Sequence, residues 1–429
     1  MTGSPTRRVW TDWALWSLLR LALLVIIAGM IPWPEQVNDL TIYSDWVTES
    51  LRYGRFPNDE MWQYPPLAGP VFVAGAWLPG GRLGFATLFL AFDAAIMAML
   101  THQSRRTGRG SGTRLWALTP LVVGPLLLAR FDVVPTAFAV AAALAAARPL
   151  ASGALAATGA WLKIWPLLVL AALRRRDLPR GIVGALAASA VIAAALVATT
   201  VDPMSFLVGQ RDRGLQIESL AAWPFLVARL VGAPVEVVYR YGAHEIEARG
   251  VELVAGGVLV ITVALLGVVA VQRLRGALDG LPGADVALAT VLFTVATSRV
   301  FSGQYFVWLL ALAAVTLGNP TSRMRRTTAL LVAAGVATHL VYPWLFTALL
   351  EGHPVAVLVQ TVRVGLTIAA TVLALEVVLR PGASPDQASG ASSGSGSASA
   401  SPASSGSPPS SITRSRPADW SQPHDDSTH

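Results

Sequence analysis

The sequence runs to 429 residues, of which 54% are apolar and only 13% charged, and cysteine is absent. Soluble domains carry roughly 25% charged residues, so an ordinary soluble fold is excluded, as are disulfides and cysteine-based metal sites. The net charge of +7 does not point to nucleic acid, because the basic residues fall in short clusters between apolar runs, the pattern of membrane topology signals.

The first apolar run, Trp13–Ile31, has no small-residue cleavage site behind it and reads as a span, with residues 1–12 cytoplasmic. Further runs lie near 65–79, 83–101, 115–129, 133–147, 153–173, 181–201, 251–272, 285–300, 304–318, 327–349 and 354–379. The expected fold class is therefore an all-α polytopic membrane protein of twelve helical segments. Basic clusters mark the cytoplasmic side: Arg7 and Arg8, 105–114, 174–180, Arg273 and Arg275, and 323–326. In the second half these alternate with outer loops. In the first half they alternate only if 65–79 lies at the outer interface and 153–173 forms a hairpin that turns near Lys163–Pro166. Each arm of that hairpin is too short to cross about 30 Å of hydrocarbon. The count becomes about ten full spans plus one half-membrane hairpin, with both termini cytoplasmic. Two long outer segments follow, about 32–79 and 202–252, within a membrane domain of 13–379. Residues 380–429 are rich in Ser, Gly, Ala and Pro and are expected to be a disordered cytoplasmic tail. No internal repeat argues for a symmetric carrier.

Chemistry is sought on the outer face. The spacing predicts a helix from Asn38, as N-cap, to Leu51, with Asp39, Tyr43, Trp46 and Ser50 on one face and Asp45 on another. An acid beside aromatics can take a proton from an alcohol; equally, such residues populate a solvated interfacial loop. Arg130-Phe131-Asp132 joins two spans and reads either as a polar cluster facing a cavity or as a helix-capping pair. Lys163, alone in an apolar run, suits a phosphate, or else snorkels to the interface. Arg211, Asp212, Arg213, Gln216 and Glu218 crowd the second outer segment, as phosphate and sugar ligands or as an exposed loop. Gln304 and Tyr305 lie in a later outer turn, His339 within a span, and His353 in the next turn. No motif requires a metal or other cofactor.

In order along the chain, the acid-bearing loop ending in Tyr64-Pro-Pro-Leu67, the Arg-Phe-Asp turn, WLKIWP, RGLQIES and FSGQYFVW together resemble glycosyltransferase family 87, the polyprenol-phosphate-mannose-dependent mannosyltransferases of the GT-C superfamily. The resemblance covers about Trp13 to Leu379; Gly303 stands where that family often has proline. It implies a plasma-membrane transferase whose active site faces outward. The donor is a polyprenyl-phosphate sugar, the acceptor a lipid or glycan, and the anomeric outcome is inversion. It makes Asp39, in Asp39-Leu-Thr-Ile-Tyr43, the general base. It groups Tyr43, Tyr64, Arg130, Asp132, Lys163, Arg211, Arg213, Gln216, Glu218, Gln304, Tyr305 and His339 as substrate-binding residues, with membrane lipid as surroundings and no nucleic-acid partner. Polyprenyl-phosphate-arabinose or -glucose transfer fits the same pattern. A secondary transporter is a remoter alternative.

Overall fold

A computed structural model describes residues 5–34, 39–54, 62, 64–197 and 213–382. The chain divides into two compact units, 1–383 and 384–429, and every described residue belongs to the first. Almost all of the expected tail lies outside the described residues.

The first half begins with α1 (Pro5–Ile27), which starts ahead of its apolar run. Next come α2 (Leu40–Tyr53), α3 (Ala68–Trp77) and α4 (Arg82–Thr107). Beyond them lie α5 (Ser111–Val123), α6 (Leu126–Ala129), α7 (Val133–Leu144) and α8 (Pro149–Leu162). A 3-10 stretch, Trp165–Ala172, leads into α9 (Leu178–Val197). The second half holds α10 (Trp223–Leu230), α11 (Val251–Leu274), α12 (Gly283–Ala296) and α13 (Tyr305–Leu317). The last helices are α14 (Arg325–His339), α15 (Phe346–Leu350) and α16 (Pro354–Leu379). Helix geometry breaks at Tyr342 (φ −123°, ψ 115°), as expected for a residue ahead of proline.

Among the described residues six helices are long and apolar enough to cross a membrane: α1, α4, α9, α11, the α14 segment and α16. The protein is membrane-embedded. These long helices expose large apolar side chains such as Leu186, Val191, Leu253, Val260, Val263 and Leu358, which a bilayer covers. The short helices inside them are the reverse. In α13 every residue from Phe306 to Thr316 is buried, and in α12 so is every residue from Asp285 to Phe293. A helix apolar all round belongs in an interior.

The short helices differ from expectation. The runs at 133–147, 285–300 and 304–318 read as full crossings. The helices they form have 12, 14 and 13 residues and rise only about 18–21 Å each at 1.5 Å per residue. The rest of the first two runs is non-helical: 145–147 follow α7 at the end away from the 130–132 turn, and 297–300 open the turn that leads to α13. Backbone of that kind is tolerated at membrane depth only against protein or water. The chain breaks within the 153–173 run: α8 stops at Lys163, whose backbone is extended, and the 3-10 stretch that follows packs against α8 and α7. Glycine permits the tight neighbour on the other side, since a Cβ on Gly153 would collide with the Gly181 carbonyl across the α8–α9 contact.

The segment expected to form the second outer loop contains an element that the all-α expectation lacked. Strands β1 (Leu215–Gln216), β2 (Glu236–Arg240) and β3 (Ala243–Glu247) form an antiparallel sheet in the order β1-β3-β2. Tyr241 (φ 50°) and Gly242 (φ 71°) make the two-residue β2–β3 turn. Positive φ at both central positions matches the twist of a hairpin.

Candidate active site

The site is assembled by an aromatic plug. The buried face of α2 is Leu40, Tyr43, Trp46, Val47 and Ser50, which holds Tyr43, Trp46 and Ser50 of the predicted face, while Asp39 stands at the cap position. Tyr43 stacks on Phe72 of α3 at 4.5 Å between centroids, and Phe72 meets Phe131 at 5.0 Å. Tyr64 packs edge-on against Phe131 at 5.5 Å, and Trp46 against Trp62 at 5.3 Å. The Tyr43 hydroxyl lies 3.3 Å from that of Tyr64 and accepts from the Phe131 N–H at 3.4 Å. Tyr43 is 1% exposed, so it serves as scaffold and its ring is not open to a sugar. Burial raises the phenol pKa of both Tyr43 and Tyr64. Both hydroxyls therefore stay protonated.

This plug seats the start of α2 beside the Arg130 turn. Asn38 lies outside the described residues, and the N-cap position of α2 falls on Asp39. The Asp39 side chain does not cap the helix but pairs with the Arg130 guanidinium instead. Arg130 also donates to the Tyr342 hydroxyl at 3.2 Å.

A second pair lies one turn of chain away. Asp132, fully buried at the start of α7, accepts through Oδ1 from Lys163 Nζ and from Trp308 Nε1, both at 2.7 Å. Its Oδ2 is buried with no hydrogen-bond partner. The Lys163 ammonium sits 5.0–5.7 Å from the ring centroids of Trp308, Tyr305 and Tyr64, within cation–π range. Trp308 is stacked between Tyr305 at 4.0 Å and Trp165 at 4.8 Å. Lys163 is a fifth exposed, so it keeps an open side.

The sheet carries the third part. Gln216 accepts from the Phe301 N–H through its side chain at 2.9 Å and donates to Glu218 Oε2 at 3.0 Å. Glu218 Oε1 is buried without a partner. Burial pushes the Glu218 carboxyl up, against the opposing pull of Arg363 and Arg130. The Glu218 carbonyl is held by Arg363 at 2.6 Å and by Gln360 at 3.1 Å. Arg213, half-buried, donates to the Tyr241 carbonyl at 2.9 Å and has its pKa lowered by burial.

The remaining expected residues are placed less centrally. Gln304 occupies the cap position of α13, next to Tyr305. Gly303 is packed so closely that a Cβ would stand 3.1 Å from Leu126 and 3.2 Å from Thr338. His339 stacks on Trp33 at 5.9 Å, and His353 is exposed at the start of α16. Arg211 and Asp212 lie outside the described residues. Trp308, Tyr342 and Arg363 were not singled out from sequence, although Arg363 carries the same signal as Lys163, a lone cation in an apolar run. Among the described residues no group of three or more His, Cys, Asp or Glu could hold a metal ion.

The arrangement offers one carboxylate beside a guanidinium, a second beside an ammonium, and an aromatic wall between them. A carboxylate can take a proton there, and two cations can hold an anion. Compared with known protein families, with curated proteins and with solved structures, the chain shows no match.

Proposed function

We propose that this membrane protein is a glycosyltransferase that moves mannose from a polyprenyl-phosphate carrier to a lipid or glycan acceptor at the outer face of the plasma membrane, with inversion. The observation that carries this reading is that Asp39–Arg130 and Asp132–Lys163 meet at one turn, 130–132, between α6 and α7. The family resemblance of the motifs supplies the donor class.

In this reading the donor phosphate displaces Asp39 from Arg130 and lies against Lys163. Arg130 changes partner, and Asp39 is left as a free carboxylate. The acceptor oxygen attacks the anomeric carbon while its proton passes to Asp39. The bond from that carbon to the phosphate oxygen breaks, and the polyprenyl phosphate leaves with the electron pair. Arg130 and Lys163 meet the charge developing on the leaving group. Asp132 holds Lys163 and Trp308 through one oxygen, and its other oxygen is left to accept from a hydroxyl of the donor sugar. No nucleotide is needed, because the carrier phosphoester is the activated bond.

The same reading takes the protein to have about ten spans and a hairpin of α8 and Trp165–Ala172, with both termini cytoplasmic. The arms of the hairpin have 14 and 8 residues, or about 21 and 16 Å by helix rise, and neither reaches across. The natural lack of cysteine makes the topology testable. A cysteine at position 109 reacts with an impermeant reagent only from the cytoplasmic side, and labelling from outside would overturn the hairpin. The transferase reading is tested by adding polyprenyl-phosphate-mannose, -arabinose or -glucose and a lipid extract to membranes that hold the protein. Transfer of mannose is expected; transfer of another sugar redirects the donor, and transfer of none ends the proposal.

A further inference from the structure

Two turns far apart in sequence carry arginines at the end that the 3-10 stretch reaches after leaving Lys163. The first, 174–180, follows that stretch and opens α9, and the second, 273–279, closes α11. Together they hold six arginines against two aspartates. The structure fastens the two turns to each other. Asp279 Oδ1 accepts from the Arg175 backbone N–H at 2.9 Å and from the Arg273 guanidinium at 2.8 Å. Arg273 is buried and also donates to the Ala171 carbonyl at 2.7 Å. Gly276 has φ 77°, and a Cβ there would stand 3.9 Å from Cδ of Arg175, so the Arg175 side chain starts over the second turn. A Cβ on Gly181 would collide with Leu173; the first turn of α9, with Arg180, therefore lies against the same place.

Most of this charge has no acidic partner. Among the described residues the ion pairs in these turns are Arg176 with Asp177, exposed and 3.7 Å long, and Arg273 with Asp279. Arg174, Arg175, Arg180 and Arg275 are exposed and enter neither. Like charges gathered in this way repel one another, and the Asp279 clamp holds them together in spite of it. A topology signal needs only the presence of the charges in a loop and no fixed geometry. Beside the arginines the flanks are apolar and open. They show Ile182, Val183 and Leu186 on α9, Val271 and Leu274 on α11, and Leu167 on the 3-10 stretch. A ligand here meets cations at one end and bilayer-facing hydrocarbon at the other. Basic pockets between membrane helices take the headgroups of anionic lipids. Four arginines without an acid exceed the charge of one phosphodiester and suit a lipid that carries two.

We infer that this cluster binds an anionic phospholipid with two phosphates, of the cardiolipin class. The phosphates lie among Arg174, Arg175, Arg180 and Arg275, and the acyl chains run along α9 and α11. The lipid is a structural ligand and takes no part in sugar transfer. The topology proposed above puts it in the cytoplasmic leaflet, but the binding itself does not depend on that topology.

The test is lipid retained by the full-length protein in detergent, read by native mass spectrometry, with cardiolipin, phosphatidylglycerol and phosphatidylcholine as probes at equal concentration. One cardiolipin per chain is expected to be retained, in preference to phosphatidylglycerol and far above phosphatidylcholine. Arg175→Gln with Arg275→Gln is expected to lower that retention about thirtyfold, the usual weight of two basic residues at an anionic headgroup. Both side chains are exposed, so the thermal midpoint without lipid should stay at the wild-type value. If it falls, Arg275→Gln alone serves, with a loss of about fivefold. The control is Arg105→Gln with Arg106→Gln, which removes the same charge from another exposed pair of arginines and is expected to leave retention unchanged. Equal retention of phosphatidylcholine, indifference to the first substitutions, equal loss in both doubles, or displacement of the lipid by excess inorganic phosphate would each overturn the assignment. Retention needs no donor sugar, so a protein that binds the lipid and transfers nothing would count against the transferase reading alone.

Discussion

Two of the carboxylate–cation pairs within the bundle, Arg20–Asp93 and Lys163–Asp132, are built differently. Arg20 of α1 meets Asp93 of α4 through two parallel bonds of 2.9 and 3.0 Å, so both carboxylate oxygens are used. The guanidinium spends its other N–H groups on the carbonyls of Ala117 and Trp116, and the rings of Trp16 and Trp116 flank it. Asp132 and Lys163 are also paired, but Asp132 keeps one oxygen without a partner and Lys163 keeps an open side. A pair whose hydrogen-bonding capacity is filled ties helices together. A pair with capacity left over can take a ligand. The Asp39–Arg130 pair is likewise partly open, at 19% and 13% side-chain exposure.

The largest expected effect falls on the closed pair. Asp93→Leu strands the Arg20 charge inside the bundle, and removing one partner of a buried pair costs about 3–5 kcal/mol. Thermal unfolding in detergent should show a much lower midpoint, and a midpoint at the wild-type value would mean that the pair does not hold α1 to α4. Replacing both partners, Arg20→Met with Asp93→Leu, should recover most of that loss, since apolar replacement of a whole buried pair is often neutral or stabilising. The matching double change, Lys163→Met with Asp132→Leu, should also give a folded protein, but one that transfers no sugar. If both doubles transferred sugar at the wild-type rate, the contrast between the pairs would be broken.

A smaller effect concerns Glu218. Its carboxyl is raised by burial, above its unfolded value. The stability it contributes is therefore fully present below the unfolded value and is lost as pH rises through the folded one. Glu218→Gln cannot ionise. The variant should match the wild type at about pH 4 and unfold at a higher temperature than the wild type at about pH 7.5, where free carboxylates are charged. A difference that stays constant across that range would show that Glu218 does not titrate between the two states.

Much of the site was legible in the sequence, for local reasons. The spacing of Tyr43, Trp46 and Ser50 fixes a buried helix face whatever it packs against. The Lys163-Ile-Trp-Pro166 break follows from proline and from a cation that cannot stay in lipid. The Asp39–Arg130 contact was not legible, because it depends on Phe72 and Phe131 bringing distant segments together. Nor could sequence separate Arg20 and Arg363 from Lys163. All three are cations within apolar stretches, and only their partners show that Arg20 is closed off and that Arg363 holds the loops carrying Glu218 and Phe301. The small sheet was missed because the span pattern on either side masked two short strands around Tyr241-Gly242. The shortness of α7 and α12 was missed because non-helical residues, Ala145–Ala147 and Thr297–Val300, continue each run past its helix.

The central claim is that the open pairs do chemistry. The most direct measurement is the initial rate of mannose transfer by Asp39→Asn, taken beside its thermal midpoint. The account predicts a rate lower by about 10²–10⁴-fold, the usual weight of a general base, at an unchanged midpoint. A rate near that of the wild type, or a rate that falls only as far as the folded fraction falls, would contradict it.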